Sequence, residues 1–143
     1  MKKISVIFWS GTGNTQKMAM AVAEGASCND AEVIVKQVSD ATVNDVINAD
    51  VVALGCPSMG CEVLEETEME PFVESLEKAD LKGKKMVLFG SYDWGTGQWM
   101  EDWSERMSGL GAILLTEGLI IHNEPDDNGI LECKELGKKL LEA

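Results

Sequence analysis

Basic residues are scarce in this chain. Its 143 residues include 12 lysines and arginines against 25 acids, a formal net charge of −13 at pH 7 with a pI near 4.4. That sign repels phosphate backbones and anionic lipid, which argues against nucleic-acid or membrane-surface binding. Long apolar runs are missing as well. Mean hydropathy is −0.05, and nothing approaches the ~18 apolar residues of a membrane span. The stretch from Ile4 to Trp9 is too short for a signal-peptide core and lacks a small-residue cleavage site, so the expected location is cytoplasmic. Cysteine is limited to Cys28, Cys56, Cys61 and Cys133, with no C-x-x-C pair, and the expectation is reduced thiols. Cys56-x4-Cys61 matches the opening of a plant-type ferredoxin ligand run, but the next ligand position holds Leu64. The single histidine, His122, stands in no Ser-His-Asp or Cys-His arrangement and reads as structural.

What is present is ordinary for a globular protein: 45% hydrophobic and 26% charged residues. A chain of this size buries about two-thirds of its unfolded surface and needs no disulfide or metal to fold. One domain over residues 1–143 is expected. Short β-rich runs at Lys3–Trp9, Glu32–Val38, Val51–Gly55, Lys85–Gly90 and Ala112–His122 read as strands, the last interrupted near Glu117-Gly118. Helical spacing covers Asn14–Ala26, Thr42–Asn48, Glu70–Lys78, Gln98–Leu110 and Asn128–Glu142, with Thr42 a candidate N-cap and Pro71 allowed in a first turn. Alternating strands and helices mean a parallel sheet covered on both faces. The predicted fold is an α/β, flavodoxin-like doubly wound sheet of five parallel strands in the order 2-1-3-4-5. Ligands of such sheets bind beyond the carboxyl ends of the strands at the switch point, which selects the loops at 10–15, 56–62 and 91–97.

The first of these, Ser10-Gly11-Thr12-Gly13-Asn14-Thr15, runs directly into a helix. Its glycines let the backbone wrap a ligand with N–H groups turned inward. The hydroxyls of Ser10, Thr12 and Thr15 add donors, and the helix start adds roughly half a positive charge. No lysine or arginine lies between positions 4 and 16, so a phosphate dianion would be held by neutral donors. The loop lacks the Lys of a Walker sequence, the third glycine of a dinucleotide fingerprint and the Cys and Arg of a small phosphatase loop. Strand 3 ends in Gly55-Cys56 rather than the Asp of a response regulator. A terminal monophosphate is the ligand group that fits.

S-G-T-G-N-T after the first strand, G-C-P-S-M-G-C-E after the third, G-S-Y-D-W-G after the fourth and N-E-P-D near the end together resemble flavodoxins, most closely the short-chain group of anaerobic bacteria. The resemblance implies non-covalent flavin mononucleotide (FMN). An isoalloxazine ring needs flat apolar surfaces and an edge of hydrogen bonds, and Met59 and Trp94 are placed to cover its two faces. Tyr92 is a further wall, and Pro57, Ser58, Ser91 and Gly95 complete the implied site. Trp9 either packs on the ribityl-phosphate or ends its strand, whereas Trp99 and Trp103 read as core. Gly60-Cys61 matches the peptide that turns over on one-electron reduction to accept a hydrogen bond from flavin N5, a rotation glycine makes cheap. Glu62 matches the carboxylate that accepts from flavin N3–H; a solvated helix-face acid is the alternative. Asp93 and Cys61 depart from the family pattern, since a glycine and a small polar residue are usual there.

Residues 62–80 carry eight acids (Glu62, Glu65, Glu66, Glu68, Glu70, Glu74, Glu77, Asp80) and one base, Lys78, with Asp93, Glu101 and Asp102 nearby. One unit charge ~10 Å from an anionic hydroquinone costs about 1.7 kcal/mol at an effective dielectric of ~20, or roughly 70 mV for one electron. The implied function is therefore a low-potential one-electron carrier moving between semiquinone and hydroquinone in place of ferredoxin-type carriers. It would be a monomer, have no substrate turnover of its own, and dock with basic or positively patched redox proteins, reductases and acceptors alike. Two other classes share the fold: an NAD(P)H:acceptor oxidoreductase, which usually needs basic residues near the flavin, and a signalling or scaffold domain without flavin.

Overall fold

The computed structural model describes residues 1–143. Strands β1 (Lys2–Phe8), β2 (Ala31–Gln37), β3 (Val51–Gly55) and β4 (Lys85–Tyr92) pair in parallel. β3 is buried from end to end and β1 over its last five residues, as continuous apolar runs covered on both faces require. β2 is half-buried, in keeping with an edge. The sheet order β2-β1-β3-β4-β5 is the one expected from the sequence.

The fifth strand is corrected in detail. It is two segments, β5 (Ile113–Leu114) and β6 (Leu119–His122), both parallel to β4. Met86 faces Leu114 and Phe89 faces Leu119, so the edge chain carries two residues more than β4 over the same span and must leave the ladder between them. Beyond that break, β6 pairs Ser91 with Ile121 and Tyr92 with His122. This extends β4 two residues past the expected Gly90 and starts its loop at Asp93.

Five helices cover the sheet: α1 (Asn14–Ala26), α2 (Val43–Ile47), α3 (Met69–Glu77), α4 (Gln98–Gly109) and α5 (Asp127–Glu142). On one face α1 and α5 bury Met18, Val22, Leu136 and Leu140 against Val6, Val87 and Phe89. The other face packs Val46, Phe72, Leu76, Trp99 and Trp103 on Leu54 and Leu88. The α1–α5 crossing is tight because a side chain at Gly25 would overlap the Lys134 carbonyl and one at Gly137 the Val22 carbonyl. Asp126 Oδ1 accepts the Gly129 N–H at 2.8 Å, which starts α5 at Asp127 rather than Asn128. At α2 the Asp45 carboxylate accepts the Thr42 N–H at 2.8 Å, the acid's half of a capping box. Cys56 and Cys133 are buried, and burial pushes both thiols up to about 12; Cys28 and Cys61 are exposed. No helix is long and apolar enough to cross a membrane.

Candidate functional site

The carboxyl ends of β1, β3 and β4 meet around a cleft of about 170 Å³ lined by Trp9, Gly11, Thr12, Asn14, Pro57, Ser58, Met59, Ser91, Tyr92, Asp93 and Asn123. The three loops chosen from the sequence thus contribute to one cavity at the switch point. Its volume is below the roughly 300–1,000 Å³ of pockets that enclose a whole small molecule.

In the first loop, Ser10 Oγ accepts the N–H groups of Gly13 at 3.1 Å and Gln16 at 3.2 Å. Gly13, at φ 97°, is the N-cap of α1 and offers no side chain to it. The first turn holds no acid, which leaves the positive end of the helix without a carboxylate. The nearest base, Lys17, is paired with Glu124. Thr12 and Asn14 line the cleft. Thr15 is placed differently from the expectation of a free hydroxyl: it is buried, and its Oγ1 lies 2.8 Å from Ser91 Oγ. Trp9 lies just beyond its strand. β1 ends at Phe8, and the indole lies over Gly11 in the space a Cβ there would need, with Nε1 donating to Glu68 Oε1 at 3.1 Å.

The second loop contains a tight hairpin. Met59 and Val63 exchange backbone hydrogen bonds at 2.9 and 3.0 Å around Gly60 (φ 50°), Cys61 and Glu62 (φ 54°). Apart from Gly60 itself and its two chain neighbours, no atom lies within 4 Å of where a Gly60 Cβ would be. The Glu62 side chain crosses to the third loop, where Oε1 accepts the N–H groups of Thr96, Gly97 and Gln98 at 3.0, 3.0 and 3.1 Å. This replaces the alternative of a solvated helix-face acid. Upstream, the Ser58 N–H donates to the Ser91 carbonyl at 3.0 Å, while Ser58 Oγ is buried without a partner.

The third loop begins where β4 ends. The Tyr92 ring lies 5.8 Å from Trp99 and 5.1 Å from His122, and His122 Nε2 is 2.9 Å from the Asp93 carbonyl oxygen. His122 therefore supports this loop. Trp94 is 58% exposed beside Gly95 at φ 96°. The fourth side of the cleft is Asn123, at φ 59°, whose N–H donates to the Tyr92 carbonyl at 2.7 Å. Residue-type reasoning did not select Asn123. Its signal was its position just beyond the last strand, at the same end of the sheet as the three loops.

Charge around the site is less uniform than its sequence count. Glu65 is only 4% exposed and caps α3, accepting from Thr67 N and Oγ1, Glu68 N and Met69 N. Burial alone would raise its carboxyl, but these donors outweigh it and hold the group below the ordinary range. Glu70 and Glu77 are held by Arg106 across from α4, at 2.6–2.9 Å; Glu70 foremost, then Glu77, raises the guanidinium further. The single base counted for residues 62–80 is thus joined by a second from α4, and Glu66 and Glu74 stand exposed without such a partner.

A helix start without an acid, hydroxyl and amide side chains converging on it, a partnerless buried hydroxyl at Ser58 and an exposed indole on the rim suit a phosphorylated ligand carrying a flat ring. Fold and cleft together define a doubly wound mononucleotide-binding protein. The flavodoxin family matches over residues 6–137, and the chain belongs to that family, in its short-chain form as in anaerobic bacteria. It is 46% identical to a flavodoxin of Clostridium beijerinckii over 96% of this chain and 98% of the relative. It is 44% identical to one of Megasphaera elsdenii over 98% and 99%. The solution structure of the two-electron reduced Megasphaera elsdenii flavodoxin superposes with a TM-score of 0.87 over 98% of this chain and 99% of that one. The protein is accordingly an FMN-binding electron carrier that passes electrons to redox partners and turns over no substrate of its own. Family membership does not favour the NAD(P)H oxidoreductase or the scaffold reading.

Proposed function

We propose that residues 1–143 form a single-domain, cytoplasmic, low-potential one-electron carrier in which the cleft described above holds FMN. The observation that carries this reading is the convergence of all three switch-point loops on one cleft whose buried Ser58 hydroxyl has no partner. When bound, FMN supplies the capacity to take up and release single electrons. Ser10, Gly11, Thr12, Gly13 and Asn14 take the phosphate with neutral donors and the helix start, and Thr15 adds only its backbone N–H because its hydroxyl is paired with Ser91. Pro57, Ser58 and Ser91 flank the chain joining phosphate to ring. Met59 and Trp94 cover the ring faces with Tyr92 and Asp93 beside them, while Gly60-Cys61, Glu62 and Gly95 surround its polar edge. Exposed acids near this edge disfavour added negative charge and steer basic redox partners toward it.

Titration of the cofactor-free protein with FMN tests the assignment. Quenched flavin fluorescence and a saturating, shifted visible spectrum are expected. A protein that leaves FMN fluorescence unchanged overturns it. Trp94→Ala should weaken binding about three- to tenfold, the worth of one aromatic stack, while leaving the fold intact because the indole packs into no core.

A further inference from the structure

Glu62 spends one carboxylate oxygen on three consecutive backbone N–H groups at the start of α4. It does so from a left-handed backbone conformation that is unfavourable for glutamate. The side chain also fills the space beside Gly95, where a Cβ would come within 2.5 Å of its carboxyl group. Three residues on, Glu65 places a second carboxylate on the start of α3. The hairpin Met59–Val63 is therefore tied toward two helix starts by two acids.

We propose that Glu62 is a positioning residue, a latch that joins the Gly60-Cys61 hairpin to the Gly95–Gly97 turn and sets the separation of the two loops before any cofactor arrives. Glu65 is the second anchor of the same segment. Carboxylate-to-amide bonds are charge-assisted and stronger than neutral ones, and three of them offset the strained backbone at Glu62. A loop pair already joined loses less freedom when a ligand enters. The latch rests on the site reading only for its benefit to FMN, because the three N–H groups that Glu62 accepts from all belong to the chain itself.

Amide hydrogen exchange on the cofactor-free protein tests it. In Glu62→Ala, exchange at Thr96, Gly97 and Gln98 should quicken about 10- to 100-fold, together with the hairpin amides of Met59 and Val63. Sheet amides such as those of Val52 and Val87 should keep their protection. Glu62→Gln, which retains an oxygen acceptor without the charge, should fall between, and FMN affinity should follow the same order. Unchanged exchange at residues 96–98 in Glu62→Ala overturns the latch. So does lost FMN affinity with unchanged exchange, which would confine the carboxylate's role to the ligand. Faster exchange in a protein whose wild type ignores FMN would support the latch and defeat the cofactor reading instead. Should Glu62→Ala fail to fold, Glu62→Gln is read alone by the same criterion.

Discussion

Thr15 in the first turn of α1 and Ser91 in β4 hold their hydroxyl oxygens 2.8 Å apart, both residues buried. The Ser91 N–H also points to Thr15 Oγ1, at 3.4 Å. The loop that opens α1 and the strand that leads to Trp94 are thus joined beneath the cleft. Thr15→Val keeps the shape and leaves the Ser91 hydroxyl buried without a partner, so the cofactor-free protein should lose about 1–3 kcal/mol. The double variant Thr15→Val/Ser91→Ala removes both polar groups and should be less destabilised than the two single effects added together. Urea midpoints for the four proteins give the coupling; strict additivity would show that the pair does not act as a unit.

Glu65 links stability to acidity. Its folded carboxyl titrates below its unfolded value, so the unfolded chain binds more protons and stability rises with pH across that interval. The contribution is complete above the ordinary glutamate range near pH 4.3 and is lost as pH falls through the folded value. Glu65→Gln should lower the urea midpoint most at pH 7, by an amount equivalent to about 1–3 kcal/mol, and the gap to wild type should close as the pH drops below 4. A gap that stays constant with pH would mean that the charge of Glu65 adds nothing to the cap.

The same residue marks where sequence reasoning stops. Strands β1 and β3 were legible because burial on both faces leaves one continuous apolar pattern, and the glycine-rich turn after Phe8 was legible because only such a turn suits that place. The partners of acids were not. Glu62 meets amides 34 to 36 residues away, and Glu70 meets Arg106 at a separation of 36, so a count of charges along residues 62–80 read engaged side chains as free ones. Asn123 was missed for a related reason: its place in the cleft follows from β6 re-pairing with β4 after the break, which neither periodicity nor residue type encodes.

At the α1–α5 crossing, two glycines meet backbone rather than space. Gly25→Ala and Gly137→Ala each improve helix propensity by about 1 kcal/mol, which alone predicts stabilisation. The added methyl groups would strike the carbonyls of Lys134 and Val22, and relief requires moving whole helices. Both substitutions should therefore destabilise, by about 1–3 kcal/mol net. A rise in melting temperature for either would show that the crossing is looser than the structure places it.

Gly60 separates space from conformation. Its surroundings are empty within 4 Å of a Cβ position, so steric exclusion is not what selects glycine. Its φ of 50° is, since left-handed backbone costs an ordinary L residue about 1–2 kcal/mol and Asn less than most. Gly60→Thr should therefore bias the hairpin strongly and Gly60→Asn weakly. If this peptide reorients as FMN takes its first electron, the potential of that step should shift by roughly 40–90 mV in the threonine variant, the same energy expressed for one electron. The asparagine variant should shift by less. Spectroelectrochemical titration measures the three proteins side by side. Potentials equal within error would show that the Gly60-Cys61 peptide keeps one orientation through the electron transfer.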